Sequence, residues 1–123
     1  MENLHIEASK YTPEIILELE GNISLIGKSY PENTFEFYTP MMEWIKSYFN
    51  GNVAKITTIN MEIIYFNSSS SKLFFDFFDL LEDNNSNEII VNWIYDDENE
   101  SALEAGEDFV EDFEELTINL VSK

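Results

Sequence analysis

The chain has 123 residues, 44% hydrophobic and 15% aromatic, which suits one compact domain with one core and argues against disorder. Its formal net charge of -19, with six Lys and no Arg, leaves too few basic groups to neutralise nucleic-acid phosphates and disfavours an anionic membrane surface; the partners it favours are proteins with basic patches. The absence of Cys excludes disulfides and thiolate metal sites.

The N-terminus, Met1 to His5, lacks the basic and apolar regions of a signal peptide, and no apolar run reaches the length of a membrane span, so the expected compartment is the cytoplasm. Glu14 to Glu20, then Gly21-Asn22, then Ile23 to Gly27 read as a β-hairpin with a tight turn. Tyr30-Pro31-Glu32-Asn33 reads as a turn leading into a helix, with Phe35, Phe37, Tyr38, Met41, Met42, Trp44, Ile45 and Phe49 at helical spacing. Pro40 leaves two possibilities: a helix that starts there under a Thr39 cap, or an earlier first turn that is kinked. Asn50-Gly51-Asn52 ends this helix.

Val53 to Phe66 predicts a long strand, buried on both faces near its end, where Ile63-Ile64-Tyr65-Phe66 is unbroken apolar sequence. Four serines follow, Ser68 to Ser71, and then a helix with Leu73, Phe74, Phe77, Phe78 and Leu81 as its core stripe, ending at Asp83 to Asn87. Glu88 to Tyr95 is a further strand. Asp96 to Glu115 predicts an acidic helix with a narrow apolar stripe of Leu103, Ala105, Phe109, Val110 and Phe113, and Leu116 to Val121 a last strand. The order hairpin, helix, strand, helix, strand, helix, strand specifies an α/β fold with a mixed sheet over residues 1–123, its strand–helix–strand units parallel.

The serine run is the informative feature, because a helix N-terminus presents free backbone N–H groups. Three roles suit a hydroxyl there. Ser70 or Ser71 caps the helix, a serine acts as nucleophile, or a serine accepts a phosphoryl group that the helix end and Lys72 stabilise. Nucleophilic chemistry lacks a base: the one His, His5, stands apart between Leu4 and Ile6, and no Gly-x-Ser-x-Gly elbow is present. Capping and phosphoacceptance both remain. The acidic stretch Asp96-Asp97-Glu98-Asn99-Glu100 lacks the register of a calcium loop, and zinc has no ligand set, so no metal and no cofactor is expected. Asp76, Asp79 and Asp83 share one outer helix face, which reads as solvated surface behind the serine turn rather than a carboxylate pair in a cleft.

A strand, a short Ser/Thr turn and a helix in a small mixed-sheet domain resemble the STAS or anti-sigma-factor-antagonist architecture. The segments Ser29-Tyr30-Pro31-Glu32-Asn33, Tyr65-Phe66-Asn67-Ser68-Ser69-Ser70-Ser71-Lys72 and Asp79-Leu80-Leu81-Glu82 are similar, more closely, to the SiaC-like regulatory phosphoproteins. Leu4-His5-Ile6 and Trp93-Ile94-Tyr95-Asp96 also fit, and the resemblance spans nearly the whole chain. It implies a single STAS-like domain that is a bacterial partner-switching protein and not an enzyme. A protein kinase would phosphorylate the first hydroxyl after the Asn, here Ser68, with Ser69 as the alternative acceptor. A PP2C-type phosphatase would remove the group. The unmodified form would bind and activate an effector, a diguanylate cyclase in SiaC-like systems, and Tyr30, Pro31, Glu32, Asn33, Asn67, Ser69, Ser70, Ser71 and Lys72 would form the partner-binding surface. Ser68 stands where the family carries Thr. The alternative functions are a constitutive acidic adaptor built on the Asp96–Glu115 helix, or an anti-sigma-factor antagonist.

Overall fold

The computed structural model describes residues 1–123. Six strands, β1 (Leu4–Ile6), β2 (Glu14–Leu17), β3 (Asn22–Ser29), β4 (Thr57–Phe66), β5 (Ile89–Tyr95) and β6 (Thr117–Ser122), lie side by side in chain order. β1, β2 and β3 pair antiparallel; β3 to β6 pair parallel, so the sheet is mixed, as the order of elements requires. Helices α1 (Thr34–Phe49), α2 (Ser68–Glu82) and α3 (Glu100–Asp112) fill the three crossovers and share one core with the sheet. Ile15, Leu17, Ile23, Leu25, Ile59, Met61, Ile63, Val91 and Trp93 alternate inward to meet them, while the intervening residues stay at least partly exposed. No helix is long and apolar enough to cross a membrane.

β1, only three residues long, was not among the strands expected from the pattern; Leu4 and Ile6 pair with Leu17 and Ile15. The hairpin forms where expected, but β2 stops at Leu17, and Glu18 to Gly21 make the connection. Gly21 sits at φ 101°, and a Cβ there would lie 2.5 Å from the Ile56 carbonyl oxygen, so only glycine fits. α1 begins at Thr34 under an Asn33 cap, six residues before Pro40, which lies inside the helix. Thr39 is therefore no cap; its hydroxyl donates to the Phe35 carbonyl at 2.7 Å.

β4 departs most from expectation. It starts at Thr57, not Val53, and its end is not buried on both faces: Ile64 and Tyr65 are each 54% exposed. Gly27 pairs with Ile63, but Lys28 pairs with Tyr65, so Ile64 is an extra residue, a bulge. The bulge moves the inward phase from Tyr65 to Phe66, whose ring meets Phe74 and Trp93 edge-on. A continuous apolar run is thus split between core and surface.

α2 buries the five expected residues, Leu73, Phe74, Phe77, Phe78 and Leu81. α3 is shorter than expected, and Val110 is exposed and Leu103 half-buried; its inward row is Ala102, Gly106, Phe109 and Phe113. Small residues occupy the first two places because Trp93 fills the space above them, donating its indole N–H to the Ala102 carbonyl at 2.9 Å. A Cβ on Gly106 would lie 2.5 Å from Trp93 Cδ1 and 2.7 Å from Leu120 Cδ2. Gly106→Ala is therefore expected to destabilise the fold by about 2 kcal/mol, overpacking outweighing the gain in helix propensity. Urea unfolding measures this; an unchanged or raised midpoint would show that Trp93 can move aside.

Candidate functional site

Parallel pairing of β3 with β4 brings their C-terminal ends together, and with them two segments 41 residues apart. Ser29, at the end of β3, accepts the Asn67 N–H on its carbonyl at 3.1 Å. From there the chain turns into α2. The cap of α2 is Asn67, whose Oδ1 accepts the Ser70 N–H at 2.9 Å. Neither Ser70 nor Ser71 caps the helix, contrary to the spacing-based expectation; the Asn outcompetes the hydroxyls because its carbonyl reaches the third residue from an extended backbone.

The four serines then occupy four environments set by helical rotation. Ser68 and Ser69 are exposed, and their own N–H groups fall in the first turn, where no intrahelical carbonyl is available to them. Ser69 lines a depression toward α1 together with Glu32, Asn33 and Lys72. Ser71 is half-buried and lines a second depression toward α3, beside Glu104, Asp108 and Asp112. Ser70 is fully buried, so it presents nothing to a partner and leaves the expected contact surface. Of the other expected contact residues, Glu32, Asn33 and Lys72 are exposed, and Tyr30, Pro31 and Asn67 are half-buried.

Ser70 instead belongs to a buried network. Its hydroxyl donates to the Ser29 carbonyl at 3.0 Å and lies 2.7 Å from Ser29 Oγ, which is 2.6 Å from the Tyr38 hydroxyl. One arrangement uses each proton once: Tyr38 donates to Ser29 Oγ, Ser29 to Ser70 Oγ, and Ser70 to the Ser29 carbonyl. The network ties β3, α1 and the first turn of α2 into one unit and holds the exposed serines in a fixed frame. No buried side-chain N or O is left unpaired anywhere in the chain.

Burial raises the Tyr38 pKa well above the ordinary tyrosine range, an effect the Ser29 hydroxyl opposes only in part. A raised native pKa means that the unfolded chain releases this proton first. The stabilisation is complete below the ordinary tyrosine pKa of about 10 and is lost as pH rises beyond it. Tyr38→Phe should cost about 1 to 2 kcal/mol near neutrality, through the donor lost to Ser29, and should flatten the alkaline fall in stability. Unfolding curves across alkaline pH test this; an equally steep fall in the variant would place the ionisation elsewhere.

Beside the turn, Tyr11, Tyr30 and Tyr65 form an edge-to-face row with centroids 5.3 and 5.6 Å apart, the outer two about half exposed. Tyr11 carried no sequence signal: it reaches the site only because the β1–β2 connection folds over Tyr30, whose N–H donates to the Tyr11 carbonyl at 2.8 Å. Ser29 and Tyr38 were equally invisible as a pair, because their bond depends on the packing of α1. No group of three or more His, Asp or Glu is placed to hold a metal ion, and His5 pairs with Glu14 on the surface at 2.9 Å.

Comparison with known proteins agrees with this geometry. Residues 6–123 match the model of the SiaC family regulatory phosphoproteins. An uncharacterized protein of Pseudomonas aeruginosa (strain UCBPP-PA14) is 33% identical over 115 residues, covering 91% of this chain and 90% of that protein. The crystal structure of apo-SiaC from Pseudomonas aeruginosa superposes with a TM-score of 0.90 at 29% identity, covering 98% of this chain and 99% of that one. A chain of the crystal structure of the diguanylate cyclase SiaD in complex with its activator SiaC, from the same organism, matches with the same TM-score, identity and coverage. The chain belongs to the SiaC family of regulatory phosphoproteins.

Proposed function

We propose that this chain is a phosphorylation-switched activator of a diguanylate cyclase, that it has no catalytic activity of its own, and that Ser68 is the switch. The observation that carries the reading is the position of Ser68: exposed, in the first turn of α2, directly after the Asn67 cap, in a SiaC-family chain. A kinase needs only an accessible hydroxyl on a turn that tolerates a dianion. Here the free N–H groups of the first turn and the positive end of the helix dipole accommodate one without rearranging the backbone. Ser69 is the second acceptor by exposure; Ser70 is removed from contention by burial and Ser71 disfavoured by the carboxylates opposite it. A PP2C-type phosphatase resets the switch. In this scheme the unmodified turn docks on the cyclase, and the phosphate ends docking.

The test is capture from lysate of the chain's own cells, with wild type and Ser68→Asp as baits, followed by assay of cyclic di-GMP synthesis in each captured fraction. Wild type should recover cyclase activity and Ser68→Asp little of it. Equal recovery by both would remove Ser68 as the switch.

A further inference from the structure

We infer that β6 is an interface between two copies of this chain: its free edge pairs antiparallel with β6 of a second copy, about a two-fold axis at Asn119, and joins the two sheets into one. This surface lies two strands away from the end of β4 and needs nothing from the serine turn.

The end strands of an open sheet expose unpaired backbone groups, which natural sheets protect with short strands, charges, Pro or bulges. β1, at one end, is three residues long. β6, at the other, has none of these devices. Its six residues, Thr117-Ile118-Asn119-Leu120-Val121-Ser122, include no charge and no Pro, in a chain that is 25% charged. The Lys123 N–H donates to the Tyr95 carbonyl at 2.9 Å, so by alternation the N–H and C=O groups of Ile118 and Leu120 point out of the sheet, with no strand beyond them.

The side chains along this edge are apolar too. Helical spacing placed Leu103 and Val110 in the core stripe of α3, yet Val110 is 39% exposed and Leu103 half-buried. Both stand within about 60° of Gly106 around the helix, on the flank away from α2. Gly106 itself sits over Leu120. Leu120 and Val121 remain 36% and 40% exposed because nothing lies outside them. The helix–sheet core is thus open at β6, where a further strand would close it.

Pairing about Asn119 matches the strand to itself. Ile118 falls opposite Leu120 in the hydrogen-bonded positions, as their outward backbone groups require, and their side chains meet below α3. Thr117 falls opposite Val121 on the other face, both β-branched. Asn119 meets its own copy in the non-hydrogen-bonded position, where side chains approach most closely. It already donates to Asn92, which donates to Asn60, at 3.2 and 2.9 Å. One amide N–H and the carbonyl oxygen of Asn119 are left to pair with the same groups of the copy, so the amide row continues across the axis. Glu115 falls opposite Lys123, opposite charges at each end of the pairing. A slip of two residues loses both the Asn119 pair and this charge match. This self-match selects a second copy as the occupant, whereas the acidic faces elsewhere attract basic partners. The two-fold axis reverses the strands, so the two serine turns lie at opposite ends of the joint sheet, both free.

Because the chain has no Cys, single cysteines report the register cleanly. At Asn119 the paired Cα atoms would be about 4.5 Å apart, within disulfide range. Under mild oxidation of the full chain, Asn119→Cys should form a covalent dimer. Thr117→Cys and Val121→Cys should each stay monomeric alone and cross-link when mixed. Sedimentation of the unmodified wild type should show a monomer–dimer equilibrium that tightens with salt, since two copies of net charge -19 repel. Asn119→Lys should weaken it about tenfold, with the urea midpoint confirming a folded chain, and Ser68→Asp should leave it unchanged. A wild type that stays monomeric at high salt, or equal cross-linking of all three single cysteines, would overturn the inference. So would association that weakens with salt, which would mark contact through opposite charges instead.

Discussion

Aspartate at position 70 is expected to unfold the protein, while aspartate two residues earlier is expected to leave it as stable as before or slightly more so. The two side chains differ only in helical phase. Ser70 is fully buried, its hydroxyl closed into the network with Ser29 and Tyr38. A carboxylate there loses its hydration and the donor to the Ser29 carbonyl and overfills the site, at a cost of several kcal/mol. Against a total stability of about 5 to 15 kcal/mol, that is enough to populate the unfolded chain. Ser68 is exposed at the positive end of α2, where a negative side chain contributes about 0.5 kcal/mol. Urea unfolding of Ser68→Asp, Ser69→Asp and Ser70→Asp should therefore show two native midpoints and one collapse. A folded Ser70→Asp of normal stability would mean that the Ser29–Ser70–Tyr38 network is dispensable and that the turn can rotate.

Phosphate on Ser68 should weaken cyclase binding about 100-fold, a penalty of about 3 kcal/mol. The origin of that penalty is constrained by the charge of the molecule. A chain of net charge -19 attracts basic partners, so one more dianion does not act through long-range repulsion. It acts locally: a dianion with its hydration shell must be desolvated where an uncharged hydroxyl docked before, and no Arg is present in this chain to pair with it. Two consequences follow. The loss should persist at high salt, because desolvation is not screened, whereas the long-range attraction of this acidic chain for a basic partner fades. Ser68→Asp should weaken binding less than phosphate does, since it carries a smaller charge on a shorter side chain. Titration calorimetry of the phosphorylated, unmodified and Ser68→Asp proteins at two salt concentrations checks both. Restoration of tight binding by salt would point to repulsion instead.

The elements most legible in the sequence were those whose large apolar residues keep one period throughout. The core stripe of α2 was readable because Leu73, Phe74, Phe77, Phe78 and Leu81 are all large, recur at helical spacing and are all buried. The β2–β3 hairpin was readable from alternation and Gly21. The errors fell where tertiary packing overrides pattern. Pro40 left the start of α1 open, because its missing N–H is harmless only in the first turn, and of the two alternatives the earlier start holds: α1 begins at Thr34 and carries Pro40 inside. The run Ile63 to Phe66 looked like a doubly buried strand because a bulge cannot be seen in composition. In α3 the expected Phe109 and Phe113 are core residues, but Ala102 and Gly106 were too small to register as anchors and Leu103 and Val110 stood in their place, although it is the bulk of Trp93 that requires the inward residues to be small. The serine run drew attention to the α2 turn, and the family resemblance singled out Ser68 within it. What neither could assign was the division of labour among the four, which depends on Ser29 and Tyr38 from other elements.

The central claim is that the form of this chain that engages a diguanylate cyclase is the one without phosphate at the α2 turn. The most direct measurement is to isolate the protein from its own cells, separate phosphorylated from unmodified chains, locate the phosphate by mass spectrometry, and ask which form co-purifies with cyclase activity. The expected result is phosphate on Ser68 and cyclase in the unmodified fraction alone. Phosphate on neither Ser68 nor Ser69 under any growth condition, or cyclase distributed equally between the two forms, would contradict it.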